Sequence, residues 1–181
     1  IQGDYGIRSV YVGGYFWGAD LKGYSNSTGN NMDCIHIDSY QGMRRSKKDY
    51  INPAYISNCY STLVHEYQHM IHYSHLESKG LWADYTPTYI NETFSAAAEY
   101  LMYGHNSGRV SDYNVSSAFK NGLSLAQWDS NMEKGEVETL TTYAVAYMFG
   151  QYIRTQYKGV KDNTGETIYR EAMEEMSSGK D

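Results

Sequence analysis

A chain of 181 residues with a formal net charge of -6 suits one domain, long enough to bury a core without covalent staples. Its basic residues are scattered apart from the run Arg44, Arg45, Lys47 and Lys48, which flanks a turn and reads as solvated loop, so nucleic-acid binding is disfavoured. No stretch of about 18 apolar residues occurs, and no membrane span is expected.

The chain begins at Ile1 without an initiator methionine or a signal-like segment, which suggests processing or a piece of a longer protein. Twenty tyrosines and many Gly, Ser and Asn residues make a composition common in secreted bacterial proteins. Cys34 and Cys59 lie in no metal-ligand spacing; both read as structural, and the sequence leaves their pairing open.

The first third is punctuated by glycine and reads as β. Ile7 to Val12 forms a strand candidate ended by Gly13-Gly14, followed by the aromatic stretch Tyr15 to Asp20 and a polar turn from Tyr24 to Asn31. Met32 to Tyr40 alternates, with Cys34, His36 and Asp38 on one face and Asp33, Ile35 and Ile37 on the other, as an edge or cleft-lining strand does. The pattern then turns helical. Asn58 is placed to cap a helix from about Cys59 to Leu76 or Glu77, with Gly80 beyond its end, and Thr88 to cap a second from Tyr89 to Tyr103, stopped by Gly104. A third runs from about Val137 to Tyr157, carrying Leu140, Tyr143, Ala144, Tyr147, Met148, Gln151 and Tyr152 at 3/4 spacing; a fourth covers Glu166 to Met176. Strands followed by helices predict an α+β fold, β-rich over about 1–57 and helical over 58–181.

The chemistry concentrates in His65-Glu66-Tyr67-Gln68-His69-Met70-Ile71-His72-Tyr73-Ser74-His75. Its first five residues match HExxH. On a helix, His65 and His69 stand one turn apart on one face, about 6 Å between Cβ atoms, near enough to share a zinc ion. Glu66 points about 100° around from His65 and suits a general base acting on water.

A catalytic zinc takes three protein ligands. His75 has the spacing of a third histidine in HExxHxxGxxH, but the bend position holds His72 instead of glycine; on an unbroken helix it lies about 15 Å along the axis from His65. His72 shares the His65 face yet sits about 10.5 Å along the axis, too far for one ion. The remaining candidate is Glu92, 23 residues after His69, in Tyr89-Ile90-Asn91-Glu92-Thr93-Phe94-Ser95-Ala96-Ala97-Ala98-Glu99-Tyr100. Small residues from Ser95 to Ala98 permit close helix approach. Glu99, two turns further on the same face, is placed to accept the other ring N–H of a zinc histidine.

HEYQH followed by NETFSAAAEYL resembles the gluzincins, in which a glutamate completes HExxH. The details HEYQHMI, YINETFSAAAEYLMYG and TTYAVAYMFGQYI are most similar to the hyicolysin family of secreted bacterial metalloendopeptidases, over about Tyr24 to Lys158. The resemblance implies a thermolysin-like catalytic domain: a twisted N-terminal sheet, the active-site helix, the glutamate helix and C-terminal helices. It implies Zn²⁺ held by His65, His69 and Glu92, and Glu66 as base in the hydrolysis of protein or peptide substrates outside the cell. In related aminopeptidases a tyrosine opening a downstream helix donates to the transition-state oxyanion. Tyr143 in Thr141-Thr142-Tyr143-Ala144 matches that position, with His105 as an alternative donor. No GxMEN-like stretch precedes HEYQH to hold a free amine, which favours an endopeptidase. An aminopeptidase-type gluzincin and a non-catalytic zinc-stabilised binding module remain the alternatives. Ala96 stands where thermolysin carries an acidic residue, so that task falls to Glu99. Side-chain preference, calcium sites, oligomeric state and flanking domains are not legible in the sequence.

Overall fold

The computed structural model describes residues 12–22, 29–38, 53–81 and 86–178. They are mostly helical with one small sheet, compatible with the expected α+β class. The strand candidate at Ile7 to Val12 (apart from Val12), most of the polar turn, the basic run at Arg44 to Lys48 and the end of the Met32–Tyr40 strand lie outside the described residues. The chain divides into two compact units, Ile1–Tyr73 and Ser74–Asp181.

In the first unit, β1 (Gly14–Phe16) pairs antiparallel with β2 (Ile35–Ile37), in the register Gly14↔Ile37, Tyr15↔His36 and Phe16↔Ile35. β2 is shorter than the alternation over Met32 to Tyr40 suggested. After Phe16 the chain turns into α1 (Ala19–Lys22), where the Asp20 N–H donates to the Trp17 carbonyl at 2.9 Å. The long helix α2 (Pro53–Ser78) lies against β1. A Cβ on Gly14 would come within 2.6 Å of the His36 carbonyl oxygen and 2.8 Å of Thr62 Cγ2, so the strand approaches the helix at a distance only glycine permits. The Phe16 ring meets Tyr73 edge-on, with centroids 5.6 Å apart.

Helix α2 begins at Pro53 and passes through Asn58, which is therefore not its cap. Proline suits a first helical position because the N–H it lacks would have no intrahelical acceptor there. The C-terminus ends as the sequence predicts: the Gly80 N–H donates to Glu77 O at 2.9 Å and the Leu81 N–H to Leu76 O at 3.0 Å, satisfying two terminal carbonyls.

In the second unit, α3 (Thr88–Tyr103), α4 (Ser107–Val115), α5 (Ser117–Lys120) and α6 (Trp128–Met132) all contact α7 (Glu136–Tyr157), and α8 (Thr167–Met176) closes the unit. Thr88 is the first residue of α3 instead of its cap; Pro87 precedes it, and its carbonyl accepts from the Ile90 and Asn91 N–H groups. The buried face of α7 is Thr139, Thr141, Thr142, Ala144, Ala146, Tyr147 and Gly150, whereas Leu140 and Tyr152 are exposed. Neighbours on several sides select the small residues of this helix, not the broadest apolar stripe. Its buried threonines stay satisfied by donating to carbonyls one turn back: Thr139 to Gly135, Thr141 to Val137 and Thr142 to Glu138.

Phe94, Ala97 and Tyr169 form the core between α3 and α8, with Ile90, Ile153 and Met173 packed around them. The Tyr169 hydroxyl donates to the Gly150 carbonyl at 2.9 Å, and burial pushes this phenol's pKa up. Helix α4, which the periodicity did not reveal, is capped by Asn106, whose side chain accepts from the Arg109 N–H at 3.1 Å. That signal was present in the sequence, as an asparagine immediately before a polar helix.

Candidate metal centre

Helix α2 carries His65, Glu66 and His69. The two imidazoles stand one above the other, with centroids 4.9 Å apart and planes at 79°. This edge-on arrangement follows from the four-residue spacing. His65 and Glu66 are each 8% exposed, while His69 is half-buried. The Glu66 carboxylate accepts the backbone N–H of Phe16 at 2.8 Å through Oε2. A hydrogen bond to an ionised carboxylate is stronger than a neutral one, and here its donor is fixed in the main chain, so β1 orients this carboxylate. Sequence reasoning missed Phe16, because its contribution is a backbone group 50 residues away from Glu66.

The candidate ligands fall on two helices, His65 and His69 on α2 and Glu92 on α3. Two imidazole nitrogens and a carboxylate oxygen make a donor set that suits zinc. Glu92 lies in the second turn of α3 and is half-buried; Glu99, further along the same helix, is buried.

The two remaining histidines of the stretch lie elsewhere on α2. His72 is 2% exposed, and His75 Nε2 lies 2.7 Å from the Ser177 hydroxyl. Tyr143 is half-buried on α7, its ring edge-on to Trp128 at 5.0 Å and beneath the Arg109 guanidinium at 4.9 Å. His105 is exposed, with Nδ1 3.4 Å from the Tyr147 hydroxyl.

Cys34 and Cys59 are not joined by a disulfide. Cys59 is buried, and that burial, with the charge of Asp38 adding to it, pushes its pKa up. Cys34 belongs to a second group of potential metal ligands, with Asp20 and His36. His36 donates to or accepts from Asp20 at 2.7 Å, and this contact is the main reason the Asp20 carboxyl falls below its ordinary range.

Comparison with known proteins finds similarity to a metalloprotease over nearly the whole chain. The relative is the neutral metalloprotease ShpI of Staphylococcus hyicus, 32% identical over 179 residues, which is 98% of this chain and 37% of the relative. The chain thus spans little more than a third of that protein. No family model matches it. Among the described residues no helix is long and apolar enough to cross a membrane.

Proposed function

We propose that this chain is the catalytic domain of a secreted, zinc-dependent endopeptidase of the gluzincin type, thermolysin-like in fold, with residues 1–181 forming one functional domain. The observation that carries the reading is the His65–His69 pair, one turn apart on α2 beside Glu66, a carboxylate held by a main-chain N–H. Similarity to a neutral metalloprotease over nearly the whole chain supports it.

In this reading His65, His69 and Glu92 hold the zinc. When bound, zinc supplies Lewis acidity, making water more acidic and polarising the scissile carbonyl. Glu66 accepts the proton of the attacking water on one carboxylate oxygen and delivers it to the leaving amine nitrogen. The Phe16 N–H on Oε2 keeps that carboxylate from rotating between the two transfers. Tyr143 donates its hydroxyl proton in a hydrogen bond to the oxygen on which charge develops. Glu99 accepts a ring N–H of a zinc-binding histidine and fixes its tautomer. An extended substrate adds along the β2 edge by backbone hydrogen bonds, which makes recognition tolerant of side chains.

Replacing Glu66 by Gln tests the assignment. Cleavage of a quenched peptide should fall by about 10²–10⁴-fold while zinc content stays at the wild-type level. Wild-type turnover in that variant would remove Glu66 from the chemistry.

A further inference from the structure

We propose that Asp20, Cys34 and His36 form a second metal site, separate from the HExxH centre, that takes zinc or a similar borderline-soft divalent cation. The three side chains come from three short segments: α1, the approach to β2, and β2 itself. Each offers one ligand atom, and those atoms lie within 4.8 Å of one another.

The site is built. Asp20 is fully buried, and its Oδ1 accepts both the backbone N–H of Asn30, at 3.1 Å, and the Asn30 amide, at 2.9 Å. The Met32 N–H donates to the Asp20 carbonyl at 2.8 Å, fastening the segment that leads to Cys34. With Oδ1 so occupied, Oδ2 is the oxygen left to face His36, at 2.7 Å from Nε2. Tyr15, the cross-strand partner of His36, stacks on its ring at 4.4 Å and 13° and sets the plane of the imidazole. Outer groups that orient each ligand in this way are characteristic of working metal sites. Cys34 and His36, two residues apart along an extended chain, share a face, which brings the thiol to the same point.

A hydrogen-bonded Asp–His pair accounts for Asp20 and His36 but gives the thiol no part. A cation held by a carboxylate oxygen, an imidazole nitrogen and a thiolate engages all three. A thiolate favours zinc over magnesium or calcium, and three protein donors leave a fourth tetrahedral position for water. Cys34 and His36 are partly exposed, so an ion can enter, whereas the carboxylate that anchors it is not. Binding displaces the Cys34 thiol proton to solvent and replaces the Asp20–His36 hydrogen bond.

Cobalt reports on this directly, because a thiolate ligand adds a near-ultraviolet charge-transfer band that two histidines and a glutamate cannot supply. Metal-depleted full chain titrated with Co²⁺ should bind a second equivalent and develop the band. The band should vanish in Cys34→Ser and persist in both Cys59→Ser and Glu92→Ala. In the wild-type chain, zinc should also protect Cys34 from iodoacetamide, read by mass spectrometry, which keeps the question answerable if Cys34→Ser does not fold. A wild-type chain with no thiolate-to-cobalt band, a band that survives Cys34→Ser, or alkylation of Cys34 at the same rate with and without zinc would each overturn the site.

Discussion

At the scale of single residues, the candidate centre depends on side chains that differ in how they are held. His65, Glu66 and His69 share one rigid helix, and Glu66 has a main-chain partner besides. Glu92 comes from another helix, so its loss should leave α2 folded and act mainly on the metal. Glu92→Ala is expected to weaken zinc retention by more than the roughly 10–100-fold typical of losing an outer partner of a ligand, measured by competition with a chelator. Full occupancy under those conditions would move the ligand role elsewhere. Tyr143 is packed between Trp128 and Arg109, so removing only its hydroxyl should not disturb the ring. Tyr143→Phe should lower kcat by about 10²–10³-fold with KM little changed; an unchanged kcat would turn attention to His105. The identities at 65, 66 and 69 were legible because HExxH is a local pattern. Glu92 is a candidate because helix geometry sets His72 and His75 aside and the NE stretch resembles the gluzincin glutamate helix. Phe16 was out of reach, since a backbone donor carries no side-chain signature.

Among the elements, the connection from α7 to α8 carries a concentrated set of constraints. Asp162 accepts hydrogen bonds from the N–H groups of Thr164, Gly165 and Thr167 and from both threonine hydroxyls, thereby capping the start of α8. These bonds, led by that of the Thr167 hydroxyl, hold the Asp162 carboxyl far below its ordinary value of 3.8. A depressed folded-state pKa means that this carboxylate stabilises the fold at every pH above its unfolded value. The contribution is lost as pH falls through the folded value. The difference in Tm between wild type and Asp162→Asn should therefore be largest above about pH 4 and shrink below it; a pH-independent difference would deny the linkage. Nearby, Gly165 has φ +76°, and a Cβ there would meet the Arg154 carbonyl oxygen at 2.0 Å. Gly165→Ala is expected to destabilise the chain by more than about 1 kcal/mol, since left-handed backbone and backbone clash both oppose it, as a thermal melt would reveal. The helices α3, α7 and α8 were legible to within a residue or so because their periodicity and terminal signals agree. Helices α4 to α6 were not, since short polar helices bury too little to leave a stripe. The start of α2 was misplaced because Asn58 has the chemistry of a cap without being at a helix end.

For the whole molecule, similarity to a neutral metalloprotease spans almost all of this chain but 37% of that relative. In the proposed reading, cleavage within peptides differs from cleavage at their ends by recognition of a free amine, for which no motif stands upstream of HEYQH. Peptides blocked at the N-terminus should be cleaved as fast as free ones, and a strict requirement for a free amine would make the chain an aminopeptidase. Loss of activity on chelation, reversed by zinc, is expected in either case. The sequence by itself determined the local chemistry: two imidazoles and a carboxylate on one helix, and the spans of α3, α7 and α8, all of which follow from spacings of three to seven residues. Only the tertiary structure decided that the Phe16 N–H meets Glu66 and that Asp20 joins Cys34 and His36. Periodicity records which face a residue occupies, and it carries no information about which distant segment the fold will bring against that face.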